Sequence, residues 1–520
     1  MTFSPYSMNQ AQGWAGDLTV SGGESTDNDQ VNAPDPLFFA MAAHWAPIRA
    51  CLEGTEYLRQ HADVFLPQNP LELADSWQGR VNRSTFSNYY GKVLRTAVGL
   101  ILRKPIYLEG GDEAYWEEWR QDVCRDLSTD LDAFAHSLLT SALSYGAASI
   151  LVDFPTADNI KTLADEQEAE LKPYFVLIEC PSIIGWQQDP RSNGGRLQQV
   201  RIRETARVPK GRFQVEYKNR VRVLEPGVYS VWEAADGQGD AGWSEIESGT
   251  TSVAEVPLCT VYGEKKGVMF SKPPLLALSH QNLDHYRKAS DLTQSIHISS
   301  QSILVGAGLD DLNNTNDSQN PIGLSVNSMV LTGPKSDAEI YYVTPQVSSF
   351  DSQQAELERV VSEMRSLSIA LLSEQNLTNA SGTSKKLDRI DSNSVLSVVS
   401  KSLQQCLQDA INIAAEYAGV QPPEVVIPRD FDVESWEPNM ITAVNTLYQG
   451  GAIDQQTMLE MLAHGEILPE EIDIEEIVAA SELEEQQAME KELDKTDQMM
   501  TITDKHTPDE PVEKKAPPKA

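Results

Sequence analysis

Apolar residues recur at helical spacing from Pro36 to Leu66, with Trp45, Ile48, Leu52 and Leu58 as the expected buried positions. A second helix is predicted from Ser87 through Leu102. It stops before Pro105, because the residue ahead of a proline is sterically driven out of the helical region. Ser128, Thr129 and Asp130 offer side-chain oxygens to the free N–H groups of a helix start. Leu131, Phe134, Leu138, Ala142 and Tyr145 follow at helical spacing, and Gly146 ends that helix. Ser149 to Val152 reads as a buried strand closed by Pro155, and Tyr174 to Glu179 as another. A polar, acidic excursion from Asp158 to Leu171 separates them. Ile183-Ile184-Gly185-Trp186 reads as a turn.

From Leu197 to Val261 the pattern alternates. Val200 to Arg203, Phe213 to Tyr217 and Val228 to Trp232 each show period two, which predicts an antiparallel sheet with one wet face. Asp236 to Gly242 is a Gly-rich turn. The pattern then changes. Leu275 to Val305 has no Gly or Pro and is mostly polar, so a helix about 45 Å long is predicted. Gly306 to Pro345 returns to short strands and turns. Gln346 to Ser381 is a second long stretch free of Gly and Pro. Gly382 interrupts, and Thr383 to Ala418 predicts a third long helix capped by Gly419. Its expected buried stripe is Leu387, Ile390, Val395, Val398, Val399, Leu403, Cys406, Leu407, Ala410, Ile413 and Tyr417. Beyond Pro422-Pro423, short helices are expected at Met440 to Tyr448 and Thr457 to Ala463. Residues 1 to about 33 and the final segment are polar, low in apolar residues, and are expected not to fold by themselves.

Composition changes this picture at one point. The 520 residues include 77 acids against 41 bases, a formal net charge of -36. So acidic a chain has no broad basic face to displace counterions from phosphates, which excludes ordinary nucleic-acid binding proteins. The charge fits either a solubilising surface or one that meets DNA without holding it. Five cysteines, Cys51, Cys124, Cys180, Cys259 and Cys406, lie singly with no CxxC, which suits a reducing compartment. MTFSPYSMNQ lacks a basic stretch followed by an apolar core, so no signal peptide is expected. The apolar run Ala97 to Leu102 is far shorter than the about 20 residues a membrane span needs. Asn376-Leu377-Thr378 is then a chance glycosylation match.

Motifs that carry chemistry are missing. Gly333-Pro334-Lys335-Ser336 fails the phosphate-loop pattern, because Pro334 separates Gly from Lys and the upstream Gly is absent. No HExxH, GxSxG or EF-hand loop occurs. His280, Asp284 and His285 cluster on a predicted helix, where His280 and Asp284 share a face at metal-ligand spacing. A polar helix facing solvent or another subunit explains them more simply. Glu117-Glu118 and Glu475-Glu476 are adjacent, hence about 100° apart on a helix, and do not form a catalytic pair. No catalytic residue, metal or cofactor is expected.

The segment from Pro273-Pro274-Leu275 through Asn282, His285-Tyr286-Arg287 and Asp291-Leu292 resembles one found in tailed-bacteriophage portal proteins. There a PPL start precedes an N-x-x-HYR-x-x-x-D pattern at the opening of a long helix. Tyr145-Gly146 with the Leu-Val-Asp-x-Pro strand, and the Ile183 to Trp186 segment, are similar to the same group. In order, these segments cover about residues 36 to 465. The resemblance implies an α+β portal fold with an α/β wing, a two-helix stem, a small α/β clip, a long wing helix and a helical crown. Its divisions here would be a flexible arm at 1–35, wing 36–271, stem helices 272–303 and 347–373, and clip 304–346. A tunnel loop would follow at 374–384, then a long helix 385–420, a crown 421–480 and a disordered acidic tail 481–520.

The same resemblance implies a non-enzymatic ring, typically a dodecamer, at one capsid vertex of the virion, assembled in the host cytoplasm. Partners would be terminase, a head-tail adaptor, the major capsid protein and translocating double-stranded DNA, held weakly and without sequence preference. No membrane is involved. Gln375, Asn376, Leu377, Thr378, Asn379, Ala380 and Ser381 would line the constriction, with Lys385 and Lys386 contacting DNA or a neighbouring subunit. Asp310 and Asp311 would face terminase and adaptor. An acidic lumen would repel phosphate over a Debye length of about 8 Å and leave DNA free to slide. Two other readings stay open: another ring-forming virion component, or an unrecognised hydrolase whose residues no motif reveals.

Overall fold

The computed structural model describes residues 31–70, 72–155, 171–189, 196–234, 242–299, 303–307, 329–332, 339–343, 350–369, 382–428, 438–450, 452–464 and 477. It is an α+β protein in two compact units, divided between Phe431 and Asp432. In the second unit, helices Pro438–Gln449 and Gln455–His464 lie where apolar spacing placed them and pack on one another.

The first unit is organised around a three-stranded antiparallel sheet. Ala147–Asp153 is its central strand, between Tyr174–Glu179 and Leu258–Tyr262. The central strand is buried along nearly its whole length, which explains its continuous rather than alternating apolar sequence. Helix Leu131–Tyr145 packs on this sheet. The Asp130 carboxylate accepts the Ala133 N–H at 2.8 Å and caps the helix, as expected. Gly146 ends it at φ 93°. Gly146 is needed for a second reason: an added Cβ would stand 2.9 Å from the Pro273 nitrogen. Helix end, strand start and the Pro273-Pro274 segment therefore meet at one point.

The alternating region forms a five-stranded antiparallel sheet in chain order: Ile183–Gln188, Leu197–Lys210, Gln214–Glu225, Val228–Ala234 and Trp243–Thr250. The expected turn at Ile183 to Trp186 is thus an edge strand. The Arg201 guanidinium crosses the Gly185 Cα where a Cβ would sit. A second apolar core lies under this sheet, where Phe38, Met41 and Trp45 meet Ile184, Val200, Ile202 and Val221.

The helix expected over Pro36 to Leu66 is instead four short ones: Pro36–Ala42, Trp45–Glu53, Thr55–Gln60 and Ala62–Phe65. Gly54, at φ 77°, breaks the run. The apolar positions survive the break, with Trp45, Ile48 and Leu58 buried and Leu52 packed at the core's edge. Helix Tyr89–Ile101 matches its expected span, capped by Asn88. Two helices had no clear pattern: Ala74–Arg83 and Glu113–Trp119.

The third long helix spans Gly382–Ala418, and Gly419 follows at φ 67°. Gly382 begins it. Leu403, Cys406, Leu407 and Ala410 are buried as expected, but Val398 is 64% exposed. Val399 is also buried as expected, and the buried face takes in Leu396, Ile411, Ala414 and Ala415 besides. Near the end of the first unit, Glu424–Val426 is clasped in a short sheet with Tyr107–Glu109. Beside it the Trp116 indole donates to the Gln421 carbonyl at 2.8 Å, and Asp112 accepts the Gln421 N–H at 2.9 Å.

Candidate functional site

The first long helix spans Leu276–Ser299, about 36 Å at 1.5 Å per residue. It is shorter than expected, because Ile303–Ala307 is already a strand. Its N-terminal half is rooted in the first unit, and the residues that root it are those of the portal-like motif. Asn282 is fully buried. Its carbonyl oxygen accepts the Tyr90 N–H and its amide donates to the Ser87 carbonyl, both at 2.9 Å. Those bonds reach the N-terminal turn of helix Tyr89–Ile101, where backbone N–H groups lack partners of their own. His285 is buried edge-on against Tyr89, ring centroids 5.3 Å apart. Burial lowers its basicity, against the pull of Asp284. Tyr286 is buried edge-to-face on Phe86 at 5.9 Å. Arg287 donates to the Phe65 carbonyl at 3.0 Å.

One turn further on, Ser290 shares a hydrogen bond with Ser84 at 2.7 Å. Asp291 stands 3.6 Å from the Arg80 guanidinium, which also grips Glu72 at 2.8 Å. Arg83 donates to Gln294. Beyond that point the helix exposes Ile296 and Ile298. So the helix is fixed by buried polar bonds as far as Ser290, and residues 291–299 beyond it carry no buried residue.

The second long helix, Phe350–Ile369, packs against the first. Val360 and Met364, one turn apart, are its buried positions. Lys288 joins the pair, reaching Asp284 at 2.8 Å and Glu356 at 2.7 Å. Arg359 also holds Glu356 at 2.7 Å and pairs with Glu363. Hydrogen bonds from Arg359 and Lys288 push the Glu356 carboxyl down to about 2. Between the two helices in sequence lies a three-stranded sheet. Ile303–Ala307 is its centre, parallel to Met329–Thr332 and antiparallel to Glu339–Val343.

Charge on this helix pair is nearly balanced. The first helix has two acids and two bases, the second four acids and two bases. Residues 432–520, by contrast, hold 22 acids and six bases. In sequence, then, the acidic excess falls largely outside the paired helices.

Gln375 to Ser381, Asp310 and Asp311 lie outside the described residues, as do Gly333 to Ser336 and Glu475-Glu476. Lys385 and Lys386 fall in the first turns of the third long helix. His280, Asp284 and His285 do not converge: His280 is exposed, Asp284 is paired with Lys288, and His285 turns inward. No group of three potential metal ligands occurs among the described residues. Glu117 pairs with Arg120 at 3.5 Å and Glu118 with Lys172 at 2.7 Å. No helix among the described residues is long and apolar enough to cross a membrane. Sequence reasoning missed the partners of the motif, Ser84, Phe86, Tyr89 and Tyr90. Asn88 at the cap position was the available signal.

A family described as "Domain of unknown function (DUF4055)" matches residues 274–418, from the root of the first long helix to the end of the third. No curated protein matches the chain. A chain in a solved structure described as "Neck of empty GTA particle computed with C6 symmetry" is similar at 8% identity and TM-score 0.35. That match covers 79% of this chain and 99% of the other.

Proposed function

We propose that this chain is the subunit of a ring at one vertex of a phage capsid, the portal through which double-stranded DNA is packaged and ejected. One observation carries the reading. Two long helices pack side by side, a small three-stranded sheet connects them in sequence, and the first is rooted by the residues of the portal-like motif. Such a pair is suited to stand beside copies of itself around a hole, with one face toward water and DNA and others toward neighbours. The role is structural, and no chemistry is assigned to any side chain. Terminase and a head-tail adaptor would dock on the segment between the helices, including Asp310 and Asp311.

The charge balance refines the mechanism. A channel wall built from these two helices would be polar and close to neutral rather than strongly acidic. DNA would slide past groups that neither attract nor strongly repel phosphate, and the neutral Gln375 to Ser381 segment would extend that wall at the constriction. Lys385 and Lys386 would supply brief phosphate contacts or pair with a neighbouring subunit.

Native mass spectrometry with negative-stain imaging tests the reading. A closed ring of about a dozen copies with a central hole is expected. A chain that stays monomeric at every concentration, with capsid protein and scaffold present, overturns it. Replacing Gln375 to Ser381 by a Gly/Ser linker tests the constriction separately: rings should assemble but package DNA poorly.

A further inference from the structure

Strands Leu197–Lys210 and Gln214–Glu225 are longer than their neighbours. Pairing to Ile183–Gln188 ends at Ile202, and pairing to Val228–Ala234 ends at Arg220. From Thr205↔Asn219 to Lys210↔Gln214 the two strands pair, among the described residues, only with each other. They form a two-stranded ribbon reaching about 20 Å beyond the sheet at 3.3 Å per residue. A free ribbon of this kind is marginal in water by itself.

Its two faces differ. On one, Lys218 and Arg220 pair with Glu233 at 2.8 Å, Arg222 with Glu204 at 2.7 Å, and Lys210 with Glu216 at 3.4 Å. That face is ionically satisfied. Along the other lie Phe213, Val215 and Tyr217, 86%, 39% and 52% exposed, opposite Pro209 and Arg207. Arg212 lies over the Phe213 ring at 5.0 Å. The alternation is thus inverted for a chain alone: apolar side chains point to water and charged ones toward the sheet. The ribbon also lies in a basic stretch of an acidic chain. Residues 201–222 carry eight bases and two acids, whereas the whole chain is -36.

We infer that the Phe213–Val215–Tyr217 face of this ribbon docks on the acidic surface of a second copy of this chain. The occupant rests on the ring reading above and on charge complementarity: every copy offers a cationic ribbon and a strongly acidic remainder. An aromatic face flanked by arginines suits a protein surface, since aromatics and Arg are enriched at interface cores. Double-stranded DNA is the weaker fit. Lys210, Lys218, Arg220 and Arg222 are already engaged by glutamates, so the aromatic face itself offers Arg207 and Arg212, and phosphate affinity grows with the number of available cations.

The test uses the full chain with photoreactive p-benzoyl-phenylalanine installed in place of Phe213. Ultraviolet light should yield adducts between copies, mapped by mass spectrometry to a peptide of another chain and weakened by high salt. The double variant Arg207→Glu with Arg212→Glu, and separately Phe213→Ser, should raise the concentration needed for assembly at least tenfold while circular dichroism is unchanged. Adducts that form only within one chain, or only to added double-stranded DNA, overturn the inference. So does assembly at the wild-type concentration by both variants, an outcome that leaves the ring reading standing. Adducts between copies in an assembly without a central hole would sink the ring reading and keep the ribbon. A wild-type chain that never associates overturns both.

Discussion

Asn282 and Tyr90 are 192 residues apart, yet the Asn282 side chain accepts the buried Tyr90 N–H at 2.9 Å. The same side chain donates to Ser87, so one amide holds the first long helix to the start of another. Asn282→Ala leaves a buried N–H without a partner and should destabilise the fold by about 2–3 kcal/mol. Asn282→Asp keeps the acceptor, and its carboxyl when neutral has an O–H for the Ser87 carbonyl, so it should rank between Ala and wild type, and lower in the urea series as the pH rises and the carboxyl ionises. Urea midpoints followed by circular dichroism give the ranking, and an unchanged midpoint for Asn282→Ala would remove Asn282 as the anchor.

Gly146 answers to two constraints at once. Its φ of 93° strains any residue with a Cβ, and that Cβ would press on the Lys272–Pro273 backbone at 2.9 Å. Gly146→Ala should cost about 1–3 kcal/mol from the backbone conformation alone, with the clash added. A greatly reduced soluble yield, or a melting temperature several degrees lower in what remains, is the expected result. Gly211→Ala, also at positive φ but with open space around it, separates the two effects and should be milder.

Arg80 donates to both carboxylate oxygens of Glu72, at 3.0 and 2.8 Å. Those bonds hold the Glu72 carboxyl below its ordinary value of 4.5, while burial acts the other way. Because the folded value lies below the unfolded one, this contribution is complete above pH 4.5. It is lost as acid takes the pH down through the folded value. The urea midpoint of the wild type should therefore fall more steeply below pH 4.5 than that of Glu72→Gln, which should start lower at neutral pH. Parallel curves would show that this pair is not coupled to folding.

All five cysteines should be unreactive in the native chain. Burial pushes Cys51, Cys180 and Cys259 up to about 12 and raises Cys406 well above its ordinary value; burial with Asp126 and Asp122 pushes Cys124 up to about 12 as well. Thiolate is the nucleophile, so almost none is present near pH 8. A chromogenic disulfide reagent should titrate no thiol before denaturation and five after it. Rapid reaction of any one in the native state would place that residue at the surface.

Val398 and Leu403 divide the third long helix. Leu403→Ala should cost about 2–5 kcal/mol, as for a fully buried leucine. Val398→Ser should change the stability of the isolated chain by less than about 0.5 kcal/mol. Equal effects in thermal melts of the monomeric chain would mean that Val398 is covered.

Local signals explain what could be read in advance. Asp130 and Gly146 bracket their helix because cap chemistry acts within one turn, and the long helices show as stretches free of Gly and Pro. Apolar spacing placed a stripe on the third helix but not its edge, since period alone does not say which flank packs; Val398 fell on the wrong side. Gly185 looked like a turn residue because a glycine within an edge strand is indistinguishable in sequence from one at a bend. At the candidate site, the motif residues were visible but their task was not. Asn282, His285 and Arg287 act on residues from 65 to 90, and no local pattern encodes a partner so far away.

The clasp between Tyr107–Glu109 and Glu424–Val426 has a consequence for synthesis. Among the described residues, the strand at residue 107 pairs only with one whose residue 426 is translated 319 positions later. At about 5–20 residues per second the ribosome needs roughly 15–60 s to cover that distance. Throughout that interval the nascent chain carries an open edge, and Trp116 waits for the carbonyl of Gln421. The first unit is thus completed only as its last strand leaves the ribosome, so a chain cut short anywhere before that point is released unclosed.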